Sequence, residues 1–226
     1  NENYTEKLSQ EFDNVPKVKF SSVQNISHET INPSSIAYKV NDQISPLEKT
    51  RRTARDRGKI VHKLLEFMPN ESKTTREKTA FRWLNSISPT IPINDQKKMV
   101  KSVLRILDNP NFAYLFDSKS VSEVSLGALI GSQYILGKID RIIIKNDIVR
   151  IIDYKTDIEP PTDEKNISEK YLSQMAAYKI ATAIALPEYS IECGLLFIEN
   201  SELIWLSPEI LDLYAPWRLL LSNISL

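Results

Sequence analysis

An aspartate and a lysine stand two positions apart where an apolar run of the sequence ends. The run is followed by Asp153, Tyr154 and Lys155. Side chains alternate across a β-strand, so Asp153 and Lys155 would share one face while Tyr154 points to the other. A carboxylate beside an ammonium can hold a divalent cation and present a positive charge to an anionic group. A surface ion pair at a strand end is the simpler interpretation of these residues taken alone.

The elements around this motif predict a small antiparallel meander. Three segments are rich in Val and Ile and are separated by short polar breaks, over residues 121–130, 133–144 and 148–154. A hairpin between the second and third strands would bring Asp140 beside Asp153. Glu123, on the first strand, can face the same cleft. These positions predict a cluster of carboxylates at one end of the sheet.

Upstream of the meander, apolar periodicity predicts helices over residues 47–67, 73–86 and 94–107. The first of them carries His62 one turn after Gly58, on the same face. Glycine inside a helix costs about 1 kcal/mol relative to alanine, which suggests that the backbone must approach a neighbour closely here. A lone helical histidine is more often structural than a metal ligand, so His62 alone is a weak indication.

The same helix begins with a dense group of positive charges. Residues 49–63 hold seven Lys and Arg against one Asp, although the whole chain balances 29 basic with 29 acidic residues. Because the net charge is zero, any binding of a polyanion would have to depend on a local group of positive side chains rather than on the charge of the whole chain. We expect Arg51, Arg52 and Arg55 to contact phosphate, and a merely solvated helix face is an equally good interpretation of the charge run.

Downstream, helix and strand patterns complete an α/β domain. A helix is predicted over residues 168–185, strands over 190–198 and 203–206, and a closing helix from 207 to 221. Gln174 and Tyr178 lie one turn apart on the long helix, where they either bond to the surrounding structure or serve the site. We expect residues 1–46 to be an irregular arm or linker. Residues 47–226 would form the domain, with a helical part over 47–118 and a sheet part over 119–226.

Several classes of protein are excluded by the sequence. Cys193 is the only cysteine, which rules out an internal disulfide and a four-cysteine iron–sulfur cluster. The phosphate-binding loop of ATPases is absent from the sequence, so no ATP site is expected. Apolar runs are too short to span a membrane and a signal peptide is not evident, so we expect a cytoplasmic protein. The first residue is not methionine, and we expect the chain to be a domain of a longer protein.

Taken together, the motifs resemble the RecB-type branch of the PD-(D/E)xK nucleases. Over residues 50–206 the likeness is closest to the C-terminal nuclease domains of AddA-type bacterial helicase–nucleases. The resemblance rests on an ordered set rather than on one motif, and its most specific part is the Asp-Tyr-Lys-Thr stretch followed by Gln-x-x-x-Tyr. The set comprises Gly58-x-x-x-His62, Glu123, Gly137-x-x-Asp140, Asp153-Tyr154-Lys155-Thr156 and Gln174-x-x-x-Tyr178.

This resemblance implies a restriction-endonuclease-like fold, with a mixed central sheet flanked by helices and a helical N-terminal portion. It implies Mg²⁺-dependent cleavage of DNA, with Mn²⁺ as a substitute and single-stranded DNA at the active site. A helicase portion of the same chain and an AddB-like subunit would be the partners, in the bacterial cytoplasm. Asp140, Asp153 and Lys155 would be catalytic, and the metal would be held by His62, Asp140, Asp153 and the backbone carbonyl of Tyr154.

The remaining members of the set would have supporting roles. Gln174 and Tyr178 would position DNA or the residues at the sheet end, and Glu123 would lie near the metal. A catalytically inactive DNA-binding or scaffolding module with the same fold is one alternative. A stand-alone RecB-like exonuclease is another, although many such enzymes carry a cluster-binding set of cysteines that this chain lacks.

Overall fold

A mixed six-stranded sheet forms the centre of the molecule in the computed structural model. The structure describes residues 29–31, 33, 48–130 and 133–215, without the side chains of 29–31, 48–54, 130 and 133. The strands are β1 (Glu29–Ile31), β2 (Ser120–Ile130), β3 (Gln133–Lys145), β4 (Ile148–Lys155), β5 (Ser190–Phe197) and β6 (Glu202–Leu206). The α/β class with a mixed sheet flanked by helices is therefore confirmed.

The helices lie on both faces of this sheet. Within the described residues, three precede the meander, one connects β4 to β5 and a short one follows β6. Since β4 and β5 run parallel, their connection must cross over the sheet, and a helix does so. The helices are α1 (Glu48–Phe67), α2 (Lys73–Ile87), α3 (Ile93–Leu107), α4 (Glu169–Ala185) and α5 (Pro208–Leu213).

Successive side chains of β4 pack alternately into two separate hydrophobic cores. Ile152 and Tyr154 pack with the buried faces of α1, α2 and α3. Ile151 packs on the opposite face, with residues of α4 such as Leu172 and Met175. The strand is thus buried on both faces, which explains its near-continuous apolar sequence. Its C-terminal end, which carries Asp153 and Lys155, emerges between the two helical layers.

The meander folds as the Val- and Ile-rich segments predict. β2 pairs antiparallel with β3, and β3 pairs antiparallel with β4. Asn146 and Asp147 form the turn between β3 and β4, and both have positive φ angles of 52° and 59°. Two such residues form the tight turn whose twist matches that of the flanking strands, and Asn and Asp tolerate this backbone better than most residues. This turn sets the register that brings Asp140 close to the end of β4.

The expectation of an irregular arm over residues 1–46 requires a correction at Glu29–Ile31. This segment forms β1 and pairs in parallel with Gln133–Ile135 of β3. Three residues are too few for an alternating pattern to stand out, and the strand depends on a partner more than 100 positions away. Apart from Pro33, the other residues of the arm lie outside the described part. The closing helix predicted over 207–221 is also corrected, because it ends at Leu213, and residues after 215 lie outside the described part. The part that is described contains no helix long and apolar enough to cross a membrane.

The third strand of the sheet has two different neighbours along one edge. Its start pairs with β1 through Ile135, and its end pairs with β4 from Arg141 onward. Between them, residues 136–140 have no ladder partner on that edge within the described part of the chain. We call this stretch the sheet fork. Backbone groups at a fork need side chains or water as partners, which makes it a natural place for polar residues inside an otherwise apolar sheet.

Candidate active site

The end of β4 holds a buried triad of polar side chains. Lys155 Nζ lies 2.7 Å from Asp153 Oδ2 and donates to Gln174 Oε1 at 2.8 Å. Gln174 Nε2 donates in turn to Asp153 Oδ1 at 3.0 Å. The side chains of Asp153 and Lys155 are only 5% and 10% exposed. The alternation that the sequence predicts therefore places acid and amine side by side, and α4 supplies an amide that fixes both.

Asp140 reaches across the sheet fork. Its Oδ2 accepts a hydrogen bond from the backbone N–H of Tyr154 at 2.7 Å, and its Oδ1 lies 2.9 Å from Nδ1 of His62. The carboxylate takes the place of a ladder bond that β3 and β4 no longer make there. It also connects β4 to helix α1, which carries His62. The structure thus brings together the residues from α1, β3 and β4 that the resemblance assigns to the metal.

Two glycines allow these close approaches. A Cβ at Gly58 would lie 3.3 Å from Oγ1 of Thr156, so α1 runs close against the residue that follows Lys155. A Cβ at Gly137 would lie only 2.6 Å from Cε1 of Tyr178, which real Cβ atoms essentially never show. Glycine at position 137 therefore lets the ring of Tyr178 lie directly on β3.

Tyr178 closes the sheet fork from the side of α4. It is fully buried, and its hydroxyl donates to the carbonyl of Lys138 at 2.8 Å. The same hydroxyl accepts a hydrogen bond of 3.4 Å from Gln174 Nε2. Both residues hold elements of the sheet end in place. Of the two roles expected for them, positioning the sheet-end residues is the one that these contacts describe.

The ammonium of Lys155 also lies over an aromatic ring. Its Nζ is 3.9 Å from the ring centroid of Tyr171, a geometry that favours a cation. The hydroxyl of Tyr171 donates to both carboxylate oxygens of Asp157 at 3.0 and 3.1 Å. Lys155 is thus held on three sides, by a carboxylate, an amide oxygen and a ring.

Burial and neighbouring charges shift the pKa values in the site. Burial raises the pKa of Asp153 above its ordinary value, and the ammonium of Lys155 opposes that rise. Burial lowers the pKa of His62, but its hydrogen bond and attraction to Asp140, together with attraction to Asp153, give a net shift upward. A buried carboxylate of this kind favours any cation that neutralises it, whether a proton or a metal ion.

Glu123 lies at the margin of the site. The register of β2 on β3 places it opposite Asp140, and its φ of 57° interrupts the regular strand. Its carboxylate forms an ion pair with Lys138 and lies 4.0 Å from Lys63. The structure therefore places Glu123 next to the site through lysines on β3 and α1.

The basic segment of α1 is described only in part. The side chains of Arg51 and Arg52 lie outside the described residues, and that of Arg55 is exposed. Further along, Arg57 is paired with Glu199. Lys63 is paired with Glu66 on the same helix. At least two of the seven cations therefore have acidic neighbours, which reduces the local excess of positive charge.

Sequence reasoning missed Arg141, which follows Asp140 directly. It is 4% exposed, and its guanidinium donates to Tyr154 Oη at 2.6 Å, to Ser120 Oγ at 2.8 Å and to the Leu65 carbonyl at 2.9 Å. A signal was present, because an arginine inside an isoleucine-rich strand is a buried charge that must find partners.

The donor set fits a hard divalent cation by its chemistry. Asp140, Asp153 and the carbonyl of Tyr154 are oxygen donors, and His62 adds an imidazole nitrogen. Each carboxylate has more acceptor sites than the hydrogen bonds described above use. Within the described residues, no group of three or more His, Cys, Asp and Glu side chains is placed so that it could hold a metal ion. The carboxylate of Asp153 contacts Lys155 and Gln174.

Comparison with known proteins agrees with this geometry. The sequence profile of the PD-(D/E)XK nuclease superfamily matches residues 27–205, which include all six strands except the last residue of β6. No curated protein matches the chain. A crystal structure of the protein SSO0001 aligns with 12% identity and a TM-score of 0.33, covering 97% of this chain and 85% of its own. Since the matched profile spans residues 27–205, which is most of the chain, the chain belongs to the PD-(D/E)XK nuclease superfamily.

Proposed function

We propose that this chain hydrolyses DNA phosphodiester bonds with a divalent metal ion, as the nuclease module of an AddA-like helicase–nuclease in double-strand break repair. The observation that carries the proposal is the position of Lys155. Its ammonium is fixed beside Asp153 at 2.7 Å, on the strand next to Asp140. An acid pair with a fixed ammonium is suited to a phosphate, because the substrate and its transition state are anionic.

The residues of the site have separable roles in this proposal. Asp140, Asp153, His62 and the carbonyl of Tyr154 would hold the metal ion. A divalent ion bound there supplies Lewis acidity toward phosphate oxygens and makes water acidic enough to react near neutral pH. Lys155 would orient the attacking water or stabilise negative charge on the phosphate. Gln174 would fix the side chains of Lys155 and Asp153 relative to each other through its two hydrogen bonds.

The AddA-like assignment rests on the order and spacing of the motifs rather than on the fold. In that assignment Mg²⁺ is the physiological ion, Mn²⁺ substitutes for it, and the enzyme acts as an exonuclease on a single strand. A helicase portion of the parent chain would deliver that strand, and an AddB-like subunit would complete the complex in the bacterial cytoplasm. Gln-x-x-x-Tyr at residues 174–178 supports the assignment, since Gln174 contacts Asp153 near the end of β4 and Tyr178 contacts Lys138 in the sheet fork of β3.

The direct test is a cleavage assay on end-labelled single-stranded and duplex DNA, with Mg²⁺, with Mn²⁺ and with EDTA. We expect single-stranded DNA to be shortened from an end with either metal and to remain intact with EDTA. Cleavage of a covalently closed circular strand would contradict the exonuclease mode but not the nuclease activity. Tight DNA binding without cleavage under all metal conditions would favour an inactive binding module instead.

A test of His62 follows from its contact with Asp140. If His62 is a ligand, His62→Ala weakens the affinity for Mn²⁺ by roughly 10- to 100-fold, and excess Mn²⁺ restores part of the cleavage rate. The measurement is cleavage as a function of Mn²⁺ concentration, with thermal unfolding in EDTA as the control. A variant that loses thermal stability and is indifferent to metal concentration would show that His62 is only structural.

A further test concerns the basic segment of α1. Each phosphate neutralised by a cation steepens the log–log salt dependence of binding by about 0.9 units for duplex DNA and 0.7 for a single strand. We therefore expect the triple change of Arg51, Arg52 and Arg55 to Gln to flatten the slope by about two to three units. The measurement is a titration of DNA binding across salt concentration in Ca²⁺.

The matched control for this titration removes the same charge from another helix. Lys97, Lys98 and Lys101 are exposed on α3, and changing all three to Gln should leave the slope nearly unchanged. Equal slopes for the wild type and the arginine variant would mean that the basic segment does not contact phosphate.

A further inference from the structure

One buried side chain connects all the elements that carry the candidate metal ligands. The guanidinium of Arg141 donates to Leu65 on α1, to Ser120 on β2 and to Tyr154 on β4. It also lies 4.7 Å from the ring centroid of Phe116. Arg141 itself is on β3, next to Asp140. A planar guanidinium is suited to connecting these elements, because the directions of its N–H donors are fixed relative to one another.

Each of these contacts lies close to a residue of the site. Leu65 is three residues after His62, so the two lie on neighbouring positions of the same helix face. Tyr154 lies between Asp153 and Lys155, and its backbone N–H is bound by Asp140. Tyr154 is therefore held at both ends, by Arg141 at the hydroxyl and by Asp140 at the backbone. Its carbonyl can move little while both bonds persist.

Stability alone does not account for this arginine. All four of its contacts described above are electrically neutral groups, and no carboxylate forms an ion pair with Arg141 within the described part of the chain. Removing a charged group from water is costly, and Arg141 offsets that cost only through contacts with neutral groups. The directed hydrogen bonds of the guanidinium explain the presence of an arginine here better than a contribution to the buried core does.

We propose that Arg141 is a positioning residue that sets the metal affinity of the site by fixing Tyr154 between Asp153 and Lys155. The inference rests on the proposed function only in that a divalent ion binds at Asp140 and Asp153. Arg141 does not contact the ion or the DNA. It acts through the hydroxyl of Tyr154, and it holds α1 at the distance that His62 needs.

The decisive variant is Tyr154→Phe, which removes the hydroxyl and leaves the backbone and the ring. We expect Mn²⁺ affinity to fall by about tenfold or more, as for other groups that orient metal ligands. The rate of cleavage at saturating DNA should fall while the KM for DNA stays unchanged. The amide proton at position 154 should exchange faster with solvent, because its bond to Asp140 becomes less persistent. Free Mn²⁺ is measured by electron paramagnetic resonance and amide exchange by NMR.

A second variant separates the effect of hydrogen-bond geometry from the effect of positive charge, and a third serves as the control. Arg141→Lys keeps the positive charge but cannot form the fork of donors, so it should lose Mn²⁺ affinity as Tyr154→Phe does. Full affinity in Arg141→Lys would overturn the proposal, because charge alone would then suffice. Tyr114→Phe is the matched control on the surface and should bind Mn²⁺ as the wild type does; Tyr114 is 36% exposed.

The outcomes distinguish this inference from the proposed function. If the wild type binds Mn²⁺ but cuts no DNA, the proposed function fails, and the ratio of Mn²⁺ affinities still decides the role of Arg141. If the wild type binds no Mn²⁺, the inference is overturned together with the metal site. Wild-type Mn²⁺ affinity in a folded Tyr154→Phe protein would show that the arginine network serves stability alone.

Discussion

We expect replacement of Asp140 or Asp153 with Asn to abolish metal-dependent cleavage in the folded protein, and Asp153→Asn also to cost stability because Lys155 loses its buried partner. The expected loss is at least about 100-fold, because groups that merely support a metal ligand already cost 10- to 100-fold when they are removed. Asparagine keeps the size of the side chain but removes the negative charge that attracts the cation. The measurement is the initial rate of cleavage at saturating DNA and Mg²⁺, with circular dichroism to establish folding.

A matched control for this loss is Asp212→Asn. Asp212 lies on α5 and is paired at the surface with Lys179 of α4 at 3.1 Å. Its replacement removes one carboxylate and one ion pair without approaching the sheet fork, so the cleavage rate should stay unchanged. Near-normal cleavage by the Asp153→Asn protein would show that the chemistry occurs elsewhere in the molecule.

We expect the replacement of Lys155 with Met to destabilise the metal-free protein by about 3–5 kcal/mol, because a buried carboxylate is left without its cation. Both partners of this ion pair are buried, since the side chain of Asp153 is 5% exposed and that of Lys155 is 10% exposed. Saturating Mn²⁺ should restore much of the loss, since the ion gives Asp153 a new positive partner. Chemical denaturation in EDTA and in Mn²⁺ measures both values of the free energy of unfolding.

The exposed ion pair between Lys179 and Asp212 provides the control for this loss of stability. Lys179→Met breaks the ion pair with Asp212, whose side chain is 60% exposed, and should cost at most about 1 kcal/mol. It should also be insensitive to Mn²⁺. If Lys155→Met were as stable in EDTA as Lys179→Met, the contact between Asp153 and Lys155 would not contribute to the folded state.

Periodicity made most of the fold predictable from the sequence. The α1 helix, the three strands of the meander, the crossover helix and the β5–β6 hairpin all form within one or two residues of the predicted limits. These elements have long apolar patterns or a clear turn, such as Asn146-Asp147, and such signals are local. Where a local signal was missing, the prediction failed, as at Glu29–Ile31, whose strand exists only because β3 offers an edge.

The sequence predicted that the side chains of the site lie close together, but it did not predict most of their contacts. Residue type and order identified the acids, Lys155 and Gln174, and the structure brings them together. Neither type nor order reveals that Arg141 bonds to the hydroxyl of Tyr154, or that Glu123 forms an ion pair with Lys138. Such contacts join positions far apart in the chain, and they depend on side-chain directions that are set only once the sheet has formed.

We expect the sheet fork to be the part of the sheet that deforms most easily. Along residues 136–140 one edge of β3 is held by side chains, including the carboxylate of Asp140 and the hydroxyl of Tyr178, rather than by strand pairing. A small opening there would stretch a few side-chain contacts and leave the pairing of β4 with β5 intact. If a cation or a phosphate binds there, we expect the carboxylates to adjust by moving their side chains, while the backbone of Tyr154 and the rest of the sheet keep their positions.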